Sequence, residues 1–182
     1  MFDGKKVSLR SFELEDIEIM MEDWNTIKLR RELGPVVPHS REERIEWIKK
    51  TWEERSTQKG YTFAIEDIKT KKLLGYASLK NVNTINRKAT VSIAIFSEKN
   101  RGRGFGTDAM KVLLKIGFDY LNFHRIGLNV FDTNPQAIRV YEKAGFKKVG
   151  LLRDVDFVEG RYVNDVCMDI LEHEWRVLKE KE

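Results

Sequence analysis

Apolar residues recur along this chain at two spacings, and the change from one to the other marks out its elements. Residues 7–12 read as a first strand. Leu14, Ile17, Met20, Met21 and Trp24 then fall at the spacing of an amphipathic helix over 14–24. A short basic helix is expected over 26–32, and Gly34, Pro35 and Pro38 interrupt the pattern. Ser40 and Glu43 form a capping-box signature, in which hydroxyl and carboxylate satisfy orphan amides reciprocally; it predicts a helix to about Arg55 that buries Ile45, Ile48 and Trp52. Residues 61–66 and 73–82 are β-rich runs joined by the polar segment 67–72, a predicted hairpin, and 89–96 is a third strand entered through the turn 83–87.

Beyond that strand come a glycine-rich loop at 101–106, a helix to about Leu121, a strand over 126–131, a helix over 135–144, and two closing strands around Val149 and over 163–170. Strands meander first and cross over through helices later. The order predicts an α+β fold: a mixed, mostly antiparallel central sheet flanked by helices, with a parallel strand pair across the 89–131 crossover, where a ligand is expected.

At 182 residues, with no internal repeat, low-complexity tract or linker-like stretch, the chain is expected to form one domain over 1–182. The single cysteine, Cys167, excludes an intrachain disulfide and a cysteine-rich zinc site, and it is expected to be buried. Residues 1–7 lack the apolar core of a secretory signal, and no run of about 18 apolar residues exists, so a cytoplasmic protein without a membrane partner is expected. The 33 basic residues are offset by 29 acidic ones, which leaves no dense basic stripe for nucleic acid. His39, His124 and His173 stand apart from one another, and no metal is expected.

Two segments carry the chemistry. Arg101, Gly102, Arg103, Gly104, Phe105, Gly106 and Thr107 lie between an apolar strand and an amphipathic helix, so loop amides and the positive end of the helix dipole converge on one spot, suited to phosphate, with Arg101 and Arg103 as added charge. A nucleotide-hydrolase loop needs Lys followed by Ser or Thr after its last glycine, and Thr107-Asp108 stands there instead. A dinucleotide fingerprint needs a third glycine where Thr107 is found. A glycine turn with two solvated arginines remains the plain alternative. The second segment starts at Asn134-Pro135, an N-cap followed by a first-turn proline, and ends at Gly145. Asn134 and Tyr141 are about two helical turns apart, on one face, where they can contact one elongated ligand.

The pattern Arg101-x-x-Gly104-x-Gly106 resembles the coenzyme loop of the GNAT acetyltransferases, and the run from Asn134 to Tyr141-Glu142-Lys143-Ala144-Gly145-Phe146 is similar to the second hallmark of that superfamily. Residues 7–16 and 160–168 look like the opening and closing segments of its ribosomal-protein (RimJ/RimL-like) and spermidine acetyltransferase branch. The resemblance implies the GNAT fold with a splayed parallel pair, and acetyl-CoA as donor, gripped through the loop. It implies that Asn134 contacts the coenzyme, that Tyr141 is the catalytic residue facing its sulfur, and that a backbone amide near Ile95 or Phe96 serves the oxyanion.

The implied acceptor is a primary amine, foremost the N-terminal α-amine of a ribosomal protein or peptide, with a polyamine or other small amine as the alternative. Asp154, Asp156 and Glu159 could attract such a polycation. A non-catalytic acyl-CoA-binding regulatory module is a third reading. Several relatives carry glutamate as base where Asn129 stands here, and an amide takes no proton at neutral pH, which leaves Asp132, Glu98 or a water chain for the proton. An exposed sheet edge and the Trp175 tail are compatible with a homodimer.

Overall fold

The computed structural model describes residues 2–34 and 36–180 of the chain; the expected helix breaker Pro35 lies outside them. Strands β1 (Phe2–Asp3) and β2 (Val7–Arg10) precede helices α1 (Asp16–Trp24), α2 (Ile27–Leu33) and α3 (Arg41–Ser56). A meander of β3 (Tyr61–Asp67), β4 (Leu73–Asn83) and β5 (Lys88–Ile95) follows. Helix α4 (Phe105–Lys115), strand β6 (Arg125–Phe131), helix α5 (Pro135–Ala144), the hairpin of β7 (Lys147–Val158) and β8 (Arg161–Leu171), and helix α6 (Glu172–Lys179) complete the described chain. The strands form one eight-stranded sheet in the order β1-β2-β3-β4-β5-β6-β8-β7. Neighbours are antiparallel except β5 and β6, which run parallel.

At β3 and the first part of β4 both faces of the sheet are covered, so consecutive residues there are buried instead of alternate ones. One core cluster includes Met110, Leu113, Leu114 and Ile126; the other gathers Phe12, Ile17, Met20, Trp24, Leu29 and Ile48 with α1, α2 and α3. The capping box is present: Glu43 N donates to Ser40 Oγ at 3.1 Å and Ser40 N to Glu43 Oε2 at 2.6 Å. Ile48 is fully buried, whereas Ile45 and Trp52 are half-buried.

The C-terminal third departs most from expectation. β7 is a twelve-residue strand exposed along most of its length, because it is the outer edge of the sheet, and it presents Val149, Leu151 and Phe157 to solvent. The tail is a helix whose Trp175 packs inward, stacking on Phe118 and donating from Nε1 to Asp119 Oδ1 at 3.0 Å. Trp175 is therefore spent on the chain's own core, not held out for a second copy. Cys167 is half-buried on β8, not enclosed. After α4 the chain widens into a π-helical turn, Ile116–Tyr120, before β6.

The parallel pair is short. Lys88, Ala89 and Thr90 face Arg125, Ile126 and Gly127, and pairing stops there. Downstream, β4 still holds β5 as far as Ile95, and β8 still holds β6 as far as Phe131. Each strand follows its outer neighbour, and a wedge opens between them.

Helix α4 starts at this wedge and is anchored from behind. The Asp108 carboxylate accepts from Lys5 N (3.1 Å), Lys6 N (2.7 Å) and Val7 N (3.0 Å), and Lys6 Nζ donates to Arg103 O at 2.7 Å. One side chain thus ties the chain entering β2 to the first turn of α4. Asp108→Ala strips three amides of a charged acceptor and is expected to lower stability by about 3 kcal/mol, read as a shift of the urea midpoint at constant m-value.

Candidate active site

The wedge holds a cavity of about 540 Å³. Its walls include Val91 and Ile95 of β5, Asn129 and Val130 of β6, Gly106 and Thr107 of α4, and Asn134, Ala137 and Tyr141 of α5. The size and the mixture of apolar walls with a few polar groups are those of a small-molecule or cofactor site.

One end is built to hold an anion. The first backbone hydrogen bond of α4 runs from Asp108 N to Gly104 O, so the amides of Phe105, Gly106 and Thr107 have no acceptor within the helix. Gly104 caps the helix in the left-handed region at φ +85°, with Gly102 at φ +71°, conformations that L side chains adopt only at a cost. A side chain at Gly102 would meet nothing within 4 Å, so the space beside the loop is open. Unsatisfied amides, a helix dipole and open space together suit a phosphate or pyrophosphate.

Of the residues expected at this site, Ile95, Arg101, Gly102, Gly104, Gly106, Thr107, Asn134 and Tyr141 line the one cavity. The others have different work. Arg103 lies over the Phe105 ring at 5.0 Å and reaches Asn100 Oδ1 at 3.3 Å, outside the cavity lining. Phe105 is a core residue, 6% exposed. Arg101 lines the cavity, yet its guanidinium is engaged: Nε and Nη2 each donate to Ile95 O at 3.1 Å, and Nη1 pairs with Glu32 Oε1 of α2 at 2.6 Å. It pins the open end of β5 to α2 and does not stand free beside the loop.

Between the two backbone positions expected to serve an oxyanion, hydrogen bonding discriminates. Phe96 N donates to Leu74 O at 2.9 Å, and its ring packs edge-on against Trp24 in the other core cluster. In an antiparallel ladder alternate residues bond to the same neighbour, so Ile95 and Ile93 turn their backbone groups away from β4, toward the wedge. The Ile95 edge is the usable one, and Phe96 is withdrawn from the site.

Asn134 caps α5, its Oδ1 accepting from Ala137 N at 3.0 Å, which leaves the side-chain NH2 as a donor at the cavity wall. Tyr141 is 7% exposed, is held edge-on by Phe146, and borders the cavity. Burial, with a smaller push from Tyr76, raises its hydroxyl well above the usual phenol range. It therefore keeps its proton at any working pH and can act as a donor.

Asp165, which the sequence does not single out as a site residue, lines the same cavity from β8. Its signal was available only as alternation: Phe131 pairs with Asp165 and Asn129 with Cys167, which places Asn129 and Asp165 on one face of adjacent strands. Burial first, then the nearby Asp156 and Asp132, raise the Asp165 carboxyl above the ordinary range, while a hydrogen bond from Asn129 opposes them. Glu98 is exposed and paired with Lys28, and Asp132 Oδ2 accepts from Asn164; neither lines the cavity. Glu159, at the β7–β8 turn, forms an ion pair with Arg31 of α2.

The model of the acetyltransferase (GNAT) domain matches residues 6–147. The chain belongs to the GNAT acetyltransferase family. This GNAT domain is 36% identical over 113 residues to the spermidine N(1)-acetyltransferase of Vibrio cholerae, covering 62% of this chain and 64% of that enzyme. It is 35% identical over 101 residues to the Escherichia coli K12 enzyme of the same name, covering 56% of this chain and 54% of the other. The matched stretches thus span less than two thirds of those relatives. A solved structure of the Vibrio cholerae spermidine N-acetyltransferase, in complex with CoA and spermine, superposes with a TM-score of 0.83 at 29% identity over 93% of this chain and 98% of that one. The expected fold, with its mostly antiparallel sheet and one parallel pair, is the observed one.

In this GNAT domain the residues present fit a coenzyme diphosphate: the amide cradle is open, and the Asn134 amide stands along the same wall. Gly104→Val would force a β-branched residue to φ +85° and set its Cβ 3.0 Å from Lys6 Nζ. Titration calorimetry with coenzyme A is expected to show affinity about tenfold weaker or worse, since strain of about 1–2 kcal/mol falls on the cradle itself.

Proposed function

We propose that this protein transfers the acetyl group of acetyl-CoA to a primary amine of a polyamine. The observation that carries the reading is the polarity of one cavity: amides without helical acceptors at the α4 end, the Tyr141 hydroxyl on the α5 wall, and the Asp165 carboxylate on the β8 wall with Asp156 and Asp132 near it. Such an arrangement suits a phosphate-bearing donor and a cationic acceptor in one space.

The sequence favours an N-terminal α-amine as acceptor, and two considerations move the preference to a polyamine. Both curated relatives named above are spermidine acetyltransferases, and the solved neighbour is described with spermine. Arg101 is paired with Glu32 and Arg31 with Glu159, while Asp165, with Asp156 and Asp132 near it, makes the β8 wall acidic.

When bound, acetyl-CoA supplies a thioester, whose leaving thiolate has a conjugate acid of pKa about 8.5. The amides of Gly106 and Thr107 would hold the diphosphate, with the Asn134 side chain donating beside them. The Ile95 edge of β5 would offer its backbone donor to the developing oxyanion. Tyr141 would donate a hydrogen bond to the departing sulfur, and burial keeps its hydroxyl protonated for that role.

A panel of amines and N-terminal peptides tests the reading by release of free coenzyme. Spermidine or spermine is expected to give the highest kcat/KM; a higher value for peptide α-amines would restore the N-terminal reading. Binding of acetyl-CoA, seen as a raised melting temperature, with no release for any amine would leave a regulatory module instead. Tyr141→Phe is expected to lower kcat by about 10² to 10⁴ without abolishing it, because the thiolate is already a fair leaving group; unchanged turnover would take Tyr141 out of the mechanism.

A further inference from the structure

We infer that Asp165 is the general base of the reaction, taking the proton from the acceptor ammonium before it attacks. The assignment rests on the acetyl-transfer reading and adds to it the residue that reading lacks. An alkylammonium of pKa about 10.4 carries almost no free amine at neutral pH, so a proton acceptor at the acceptor end of the cavity is a chemical requirement.

The described residues that line the cavity include two carboxylates, Glu32 and Asp165. Glu32 is already engaged, its Oε1 paired with Arg101 Nη1 at 2.6 Å, in the contact that pins α2 to the end of β5. Among the described residues, none forms such an ion pair with Asp165. Its strand neighbours supply Asn129 from β6, Asp132 from the turn after β6 and Asp156 from β7; the cationic lining residues Arg139 and Lys143 stand on α5. Partial burial and then two nearby carboxylates make Asp165 more basic than an ordinary aspartate, an effect that Asn129 partly opposes.

A break in the hairpin builds this constellation. Opposite Asp165 stands Leu152, and the next paired residue on β7 is Asp156, facing Val163. The intervening bulge carries Asp154 at φ +53°, and it is clipped by Asn164, whose Oδ1 accepts from Asp154 N at 3.0 Å and whose Nδ2 donates to Asp132 Oδ2 at 2.8 Å. Asn164 therefore ties the Asp132 turn to the β7 bulge on either side of Asp165.

The protons balance. Asp165 takes one from the ammonium and becomes a neutral acid, and the freed amine forms the new N–C bond as the C–S bond breaks. The amide nitrogen must lose a second proton, which goes to the sulfur while the Tyr141 hydroxyl donates a hydrogen bond there. Asp165 releases its proton to solvent, and the net result is acetylamide, free thiol and one proton.

The test compares wild type with Asp165→Asn from pH 7 to pH 10, using spermidine and coenzyme release. Loss of the base is expected to lower kcat/KM by about 10² to 10⁴ at pH 7, and the loss should shrink to within about tenfold by pH 10, where solvent supplies neutral amine. In the wild type the acid limb of kcat/KM should lie above the ordinary aspartate pKa of about 3.9. The rise in melting temperature with acetyl-CoA should be the same in both proteins, which a merely structural defect would disturb. Asp165→Ser gives the same readout if the asparagine variant does not fold. A deficit that stays constant with pH, or activity within threefold of wild type at pH 7, would overturn the assignment while leaving acetyl transfer intact. No turnover by the wild type with any amine would remove the parent reading and this one with it.

Discussion

Everything in this active site follows from β5 and β6 ceasing to bond to each other after Thr90 and Gly127. A sheet that parts in its middle leaves backbone donors and acceptors that must be satisfied by something other than a strand. One carbonyl, that of Ile95, is taken by Arg101, whose guanidinium also grasps Glu32 and so brings α2 to the rim. Other groups face the cavity, and the start of α4 adds three amides to them. A cleft lined with unspent backbone polarity is a preorganised binding surface that needs few specialised side chains.

The cavity is electrically divided along its length. Its α4 end offers amide hydrogens and a helix dipole, with Arg139 and Lys143 nearby on α5, while its β8 end offers Asp165, reinforced by Asp132 and Asp156. The same cavity is bordered by the Tyr141 phenol, which burial prevents from ionising. On the proposed reading that polarity suits an anionic donor and a cationic acceptor, and the acceptor side depends on the hairpin that carries Asp165. In the α1–α3 lobe, Arg30 and Arg44 both lie within reach of the Trp24 ring.

Asp108 shows how a non-catalytic residue can be indispensable to such a site. The position that excludes a nucleotide-hydrolase loop in the sequence gathers the Lys5, Lys6 and Val7 amides in the structure, and so fixes where α4 begins. Arg10 does comparable work on the other side of the sheet, reaching Asp16 and Glu66 at 2.7 Å each, two nearly buried carboxylates from α1 and β3. Both devices convert charge into backbone position, on which the geometry of the cradle rests.

The sequence by itself determined what local spacing can encode. The Ser40–Glu43 capping box, the Asn134-Pro135 start and Gly145 stop of α5, and the glycine loop were readable because each depends on residues within a few positions of one another, and the strand-helix-strand order permitted a parallel pair. What only the tertiary structure decided depends on register and on competition for partners. Arg101 found Ile95 O and Glu32, Arg103 turned onto Phe105, Phe96 spent its amide on Leu74, and Trp175 was absorbed by Phe118 and Asp119. Asp165 acquired its place only when β8 inserted between β6 and β7 and set it diagonally across from Asn129. Local pattern specifies an element and the face it shows, but the free energy of a charged or hydrogen-bonding group is settled by whichever partner reaches it first in three dimensions, and no spacing along the chain records that choice.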